Sequence, residues 1–292
     1  MKHMQPRLLD RRLTISLLCA LATGLAALSL ASCAGTATRT SIANDLDRII
    51  ASSHRSDANR ARDKYRHPRE TLLFFGLRPD QKVVEILPIG AWYTEIIAPL
   101  VRDNGSYIAA MPPATPGNAN GENSRKAYLD LLARAPGHLN RVTVVDFDPA
   151  QERMVPDGSV DMVVTFRNIH NWMGSGQAEA AFRQMYRALK PGGTLGVVEH
   201  RGNEATPQDP RARSGYVNQS YAIKLIQGAG FKLVATSEIN ANPKDTKDYE
   251  RGVWTLPPTL AAGEVERAKY LAIGESDRFT LKFIKPRQGK PR

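Results

Sequence analysis

VVEILPIGAWYTEIIAPLV, residues 83–101, decides how the rest of the chain is read. An apolar run carrying one carboxylate, Glu85, gives way to a turn at Pro88, Ile89 and Gly90, and from Trp92 the apolar residues recur at helical spacing. Strand, loop and helix in that order make a crossover of the nucleotide-binding kind, in which N–H groups at a helix N-terminus face the ligand. Such loops usually hold two or three glycines, which supply left-handed backbone and let a ligand come close. This loop holds one, Gly90.

The same alternation continues outward. Upstream, residues 41–79 read as helices, with Ser41 able to cap the first and Pro68 and Gly76 bounding the last. Downstream, strands are expected at 106–111, 141–147, 160–166, 194–200, 231–239 and 277–286, with helices at 122–135, 176–190 and 216–230. Apolar strands separated by amphipathic helices predict an α/β fold around a mostly parallel sheet covered on both faces. The length of 292 residues and 42% hydrophobic content suffice for one large domain or two small ones, and no internal repeat or interior low-complexity stretch interrupts them.

Order and spacing carry a resemblance. VVEILPIG stands where class I S-adenosylmethionine-dependent methyltransferases have their first motif, and VPDGSVDMVVTF (155–166) resembles their fourth-strand segment. MYRALKPGGTLGVVEH (185–200) is similar to their turn into the fifth strand. Its ALKPGG core has a physical sense: a cation near a helix C-terminus, a proline to stop the helix, glycines to turn sharply. More narrowly, RHPRETLLFFGLRP, WYTEIIAPL, FRNIHNW, NANPKDTKDYERGVWTLPPTL and GESDRFTLKFIKP resemble a subgroup of bacterial methyltransferases that are exported or lipid-anchored, over about residues 56–286. The resemblance implies a seven-stranded, doubly wound, Rossmann-like methyltransferase sheet in the order 3-2-1-4-5-7-6, with an N-terminal helical extension. It also implies S-adenosylmethionine as the cofactor.

Open α/β sheets bind ligands at the switch point, here between the first and fourth strands. Residues 85–92, 166–172 and 199–201 should converge there. Glu85, Pro88, Gly90, Tyr93, Asp146 and Asp148 are the cofactor-binding candidates. The family's motif runs acidic-x-Gly-x-Gly-x-Gly, and its glycine positions fall on Leu87, Ile89 and Ala91. The second strand of the family commonly ends in a carboxylate for the ribose; here it ends Ala109-Ala110-Met111-Pro112. Tyr93 either faces the pocket or packs in the core. Asp146 and Asp148 either reach an adenine amino group or cap their own loop.

TFRNIHNWM (165–173) crowds polar groups onto the end of a buried strand, and Arg167, Asn168, His170 and Trp172 are the catalytic candidates. His170 suits a general base, with Asn168 and Trp172 placing the acceptor; the competing role is a hydrogen-bonded structural histidine. His170 and His200 match no standard metal-ligand spacing, so no metal is expected. The segment NPKDTKDYERGVWTLPP (242–258), with Tyr249 and Trp254, is either a lid over the cleft or a structural loop.

The N-terminus sets the expected address. A basic start precedes the apolar run LTISLLCALATGLAALSL (13–30), and Leu30-Ala31-Ser32-Cys33 resembles the lipobox of bacterial lipoproteins. An uncleaved anchor is the competing reading, since the run approaches membrane-spanning length. Arg11-Arg12 reads as ordinary n-region charge, because Leu-Thr-Ile-Ser fits the twin-arginine pattern poorly. The layout is then a signal peptide at 1–32, a tether and helix at 33–55, the methyltransferase-like domain at 56–286 and a basic tail at 287–292. Cleavage before Cys33 removes four positive charges and one negative, taking +11 to +8, and leaves Cys33 as the sole cysteine, so no disulfide forms. The expected place is the cell envelope, lipid-anchored through Cys33 on the periplasmic side; Ala34 rather than Asp after the cysteine favours the outer membrane. The basic run from Arg55 to Arg69 is interleaved with acids and reads as a solvated face, not a nucleic-acid surface.

Two functions remain open at this point. One is an S-adenosylmethionine-dependent methyltransferase acting on a small-molecule or envelope acceptor. The other is a non-catalytic envelope lipoprotein that binds a different ligand in a degenerate cofactor cleft. The missing glycines and a compartment without its own S-adenosylmethionine supply favour the second; the extent of the match favours the first.

Overall fold

A computed structural model describes residues 39–115 and 118–287. The expected signal peptide, Cys33 and the end of the tail lie outside the described residues. Among the described residues no helix is long and apolar enough to cross a membrane. Residues 46–292 form one compact unit, and the preceding unit contributes only residues 39–45, which are helical.

Seven strands form one sheet in the order β3-β2-β1-β4-β5-β7-β6. They are β1 Lys82–Ile86, β2 Ser106–Met111, β3 Thr143–Asp146, β4 Val160–Phe166, β5 Leu189–His200, β6 Lys232–Ser237 and β7 Arg278–Ile284. Every neighbour pair is parallel except β5–β7 and β6–β7. This is the order the resemblance implies, and the Rossmann-like methyltransferase fold with helices ahead of the sheet.

The helices are α1 (39–50), α2 Asp57–Arg60, α3 Asp63–Arg66, α4 Pro68–Phe75, α5 Thr94–Val101, α6 Ala119–Ala133, α7 Pro136–Leu139, α8 Ile169–Gly174, α9 Ala178–Ala188, α10 Gln219–Gly228 and α11 Arg267–Ile273. Pro68 occupies the first turn of α4 and Gly76 ends it in the left-handed region, as the sequence predicts. Ser41 lies inside α1, which is already helical at residue 39, so it caps nothing. The short helix α8 was not expected, because 166–173 reads as a strand end.

Strand alternation assigns side chains to two faces. Val84, Ile86, Ile108, Val163, Leu195, Val197, Leu281 and Phe283 share a core with Phe182, Met185, Ala222 and Ile226 of α9 and α10. Their neighbours in sequence point to the other face. There α4 lies so close to β5 that a Cβ at Gly196 would stand 2.6 Å from the Phe75 ring. Only glycine allows that approach. Glu85 lies on this second face, a placement that decides its role.

Candidate active site

The ends of β1, β4 and β5 meet where the resemblance puts the ligand. Ile86 pairs with Thr165, Phe166 with Val198, and antiparallel β7 sets Arg278 beside His200. A cavity of about 260 Å³ opens there, lined among others by Ile89, Arg167, Asn168, His170, His200 and Trp254.

The polar run at the end of β4 folds by a specific device. Arg167 takes a left-handed φ of 62° while its N–H still donates to Val198 O at 2.7 Å. The chain thus leaves the sheet in one residue and starts α8. The Asn168 amide donates to Ile86 O at 3.0 Å and to Thr165 Oγ1 at 3.1 Å, tying β1 to β4 across the switch point. Glu199, fully buried at the end of β5, accepts from Ile169 N at 2.6 Å, His200 N at 2.9 Å and His170 Nδ1 at 3.0 Å.

A carboxylate only accepts, so the bond to Glu199 puts a ring proton of His170 on Nδ1, and in the neutral ring Nε2 then carries the lone pair. His170 is 8% exposed and its ring lines the cavity. The ring of His200 lies 5.3 Å from that of His170, and its Nδ1 shares a 2.6 Å hydrogen bond with Ser276 Oγ. Burial, with help from His170, Arg167, Arg278 and Arg66, pushes the His200 pKa well down, which keeps the ring neutral. The donor atoms of His170, Glu199 and His200 lie within 4.8 Å of one another, the geometry of a possible metal cluster. However, both oxygens of Glu199 already serve three N–H donors, which suits an orienting carboxylate better than a ligand.

Charge accumulates behind this group. Glu275, 4% exposed, accepts from Arg62 Nε at 2.6 Å, Arg66 Nε at 3.2 Å and Arg278 Nη1 at 3.0 Å. Burial alone would raise its pKa, but Arg278, Arg66 and Arg62 outweigh burial and hold it at about 2. Arg167 is pushed down to about 10 by burial and then by Arg278 and Arg62. It remains charged at neutral pH.

The sequence candidates divide. Arg167, Asn168 and His170 stand at the cavity. Trp172 does not: it is buried between Phe147, at 5.8 Å, and Phe182, at 5.7 Å, because α8 turns it into the core. Glu85 also lies away from the cavity lining. Strand alternation sends it under α5, where Tyr107 donates to it at 2.5 Å. Thr94 Oγ1 links Tyr107, at 2.8 Å, to Tyr128, at 3.0 Å. Burial raises the Glu85 pKa to about 8, against the opposing Tyr107 hydrogen bond. Tyr93 is in the core, stacked on Phe166 at 3.6 Å. Asp146 pairs with Arg125, and Asp148 caps its own loop through Ala150 N at 2.9 Å. Pro88 is buried and Gly90 exposed in the loop after β1.

That loop keeps the backbone of a glycine motif without its glycines. Leu87 has φ 51°, Gly90 80° and Ala91 56°. Two of the three aligned positions therefore hold left-handed non-glycine residues, at a cost of roughly 1–2 kcal/mol each. Ile89, 60% exposed, joins Leu87 on the cavity wall. Over the opposite wall lie Trp254, Pro257 and Pro258 from the 242–258 segment, in the place of a cover. Sequence reasoning missed Glu275, Ser276, Arg66 and Arg278. The charged cluster Glu275-Ser276-Asp277-Arg278 at the mouth of the last strand was the available signal.

Comparison with known proteins fits this geometry. Residues 124–197 match a family model described as a methyltransferase domain. No curated protein matches the chain. Among solved structures, an S-adenosylmethionine-dependent methyltransferase from Aquifex aeolicus is similar at 15% identity and a TM-score of 0.50, covering 77% of this chain and 93% of that one. The [4+2]-cyclase SpnF is similar at 17% identity and 0.54, covering 82% and 86%. Phosphoethanolamine N-methyltransferase 2 of Haemonchus contortus, in complex with S-adenosyl-L-methionine, gives 15% and 0.51, covering 76% and 53%. Identities this low establish the fold. That a cyclase shares it means the reaction must be argued from the site.

Proposed function

We propose that the chain transfers a methyl group from S-adenosylmethionine to a small acceptor held between the ends of β4 and β5, with His170 as general base. The observation that carries this is the Glu199–His170 pair: a buried carboxylate fixes Nδ1–H, and the ring reaches a cavity at the switch point. When bound, S-adenosylmethionine supplies an electrophilic methyl group. Pro88, Gly90 and the loop backbone between β1 and α5 would hold it, because that backbone keeps its left-handed turns. Nε2 of His170 takes the proton from the acceptor's nucleophile. Neutral His200 beside it offers a second hydrogen bond, and Trp254, Pro257 and Pro258 exclude water from the pair.

A second reading has its own support. Leu87 and Ile89 stand on the cavity wall where the family's loop is bare, and the buried end of β2 offers no carboxylate. These features suit a non-catalytic protein that binds a different ligand. Calorimetric titration of the purified chain with S-adenosylmethionine and S-adenosylhomocysteine separates the two. Saturable binding of both supports methyl transfer, and absence of binding to either overturns it. We also propose export and lipid attachment through Cys33, supported by the sequence of residues 13–33.

A further inference from the structure

Four guanidinium groups gather behind the cleft around Glu275 and Arg167. Arg62 and Arg66 come from the helices ahead of the sheet, Arg167 from the end of β4 and Arg278 from the start of β7. One carboxylate, Glu275, serves three of them, and the pairing is incomplete. Nη2 of Arg62 and Nη2 of Arg66 are buried without a partner, and Arg66 as a whole is 2% exposed. Arg278 is satisfied, donating also to Tyr65 O at 2.7 Å and Ser276 O at 3.2 Å. Arg167 lines the cavity, and among the described residues its side chain has no hydrogen-bond or ion-pair partner. The charges that act on it are two arginines, Arg278 and Arg62, and two carboxylates, Glu275 and Glu199.

Buried charge without a counterion is expensive, and proteins retain it where a ligand completes it. A guanidinium presents a planar fork that matches a carboxylate or phosphate with two parallel hydrogen bonds. Ser276, Asn168 and Asn171 line the same cavity, and its apolar lining includes Trp254, Pro257 and Pro258. A cavity of about 260 Å³ admits a small molecule and not a chain segment.

We propose that this cleft takes an acceptor bearing an anionic group, a carboxylate or a phosphate, and that Arg167 binds that group with Arg62, Arg66 and Arg278 behind it. Calling the ligand an acceptor rests on the methyl-transfer reading; the anion site itself does not. Arg167 and Arg278 stand at the ends of β4 and β7, while Arg66 stacks on Trp92 at 4.7 Å, beside the loop after β1. Arg167, the member on the cavity, thus comes from the strand away from β2 and β3, which flank a nucleoside in this fold.

The test is calorimetric titration of the purified chain, at constant ionic strength set with chloride, with inorganic phosphate and separately with benzoate. Saturable binding of one of them is expected, at least tenfold weaker in Arg167→Gln and partly restored in Arg167→Lys. Because Arg167 has no partner to lose, Arg167→Gln should fold, and a melt checks that. Preference for phosphate or benzoate identifies the class of anion. No saturable response to either, or equal binding by Arg167→Gln, overturns the proposal. S-adenosylmethionine is titrated on the same proteins. Unchanged affinity in Arg167→Gln supports an acceptor site; a parallel tenfold loss assigns the arginine to the cofactor's own carboxylate and overturns it. Anion binding in a chain that never binds S-adenosylmethionine would sink the methyl-transfer reading while leaving the anion site standing.

Discussion

Glu199→Gln asks whether the carboxylate positions His170 for chemistry or only staples two strand ends. Glu199 accepts from three N–H groups: Ile169, His200 and the His170 ring, at 2.6, 2.9 and 3.0 Å. Glutamine offers one accepting oxygen and one donating NH₂. With its oxygen in the Oε1 place it keeps the bonds from His200 and His170 and turns its NH₂ against Ile169 N–H. One buried donor is then orphaned, at about 1–3 kcal/mol. For a unit of this size that lowers the melting temperature by roughly 2–12 °C. His170 keeps its tautomer but loses the facing charge. Two unit charges about 4 Å apart interact by about 4 kcal/mol at an effective dielectric of 20. Full charge development on the ring would therefore lose on the order of a thousandfold in rate, and half development about thirtyfold. If the amide settles the other way round, NH₂ faces the ring, the proton moves to Nε2, and the cleft has no base. The assays are nitrogen–proton correlation spectra of the imidazole, which read the tautomer without any acceptor, a thermal melt, and transfer of labelled methyl from S-adenosylmethionine. The reasoning is refuted if the unaltered His170 carries its proton on Nε2. It is also refuted if Glu199→Gln loses no more activity than its unfolded fraction explains.

Four further outcomes follow from other parts of the molecule. Because burial lifts the Glu85 pKa from 4.5 to about 8, the folded chain holds a proton that the unfolded chain releases, so stability falls as pH rises through that window. The fall is at most about 5 kcal/mol; Glu85→Gln should remove it, and equal pH profiles of denaturant midpoint in both proteins would count against the buried neutral carboxyl. Ile89→Gly clears a side chain from the cavity wall and should tighten S-adenosylmethionine binding about tenfold, or about 1.4 kcal/mol. Ala91→Gly relieves a buried left-handed alanine at φ 56° and should raise the melting temperature by about 2–4 °C with little change in affinity; no gain from either would show the loop to be unstrained and uncrowded. Cys33→Ala should move the protein out of the membrane fraction, because stable attachment needs more than one acyl chain on that residue; normal processing with an unchanged membrane fraction would exclude the lipoprotein reading.

The sheet was legible because it rests on periodicity. Largely apolar strands at 82–86, 106–111 and 160–166 read as buried on both faces, and helices of the right length separate them. The switch point followed from strand order, and Arg167, Asn168 and His170 line the cavity there. Trp172 was not, because α8 is invisible to a pattern reading: its N-terminus is satisfied by Glu199 from another strand rather than by a local cap. Glu85 misled for a related reason. A strand-end carboxylate suggests a ligand contact, but its parity put it beneath α5, where Tyr107 from β2 supplies the partner. The arginine cluster was out of reach altogether, since Arg62, Arg66, Arg167 and Arg278 meet only through tertiary folding.

The two halves of the cleft differ in what strains them. On the β1 side, the loop holds a left-handed path at Leu87 and Ala91 without the residue type that makes that path easy. Non-glycine residues persist in such backbone only when their surroundings over-determine it. Here Leu87 N–H is fixed to Ala110 O at 2.8 Å, and Ala91 N–H to Pro88 O at 2.9 Å, so the turn is held by its own hydrogen bonds. On the β5–β7 side, by contrast, buried charge has been kept: three arginines on one glutamate and a fourth with no partner. A fold that served only as a scaffold would be more stable with that cluster replaced by apolar side chains. The excess positive charge is therefore better explained by what enters the cleft than by what holds it together, and it makes Arg167 and its neighbours, more than the loop after β1, the place to look for this chain's specificity.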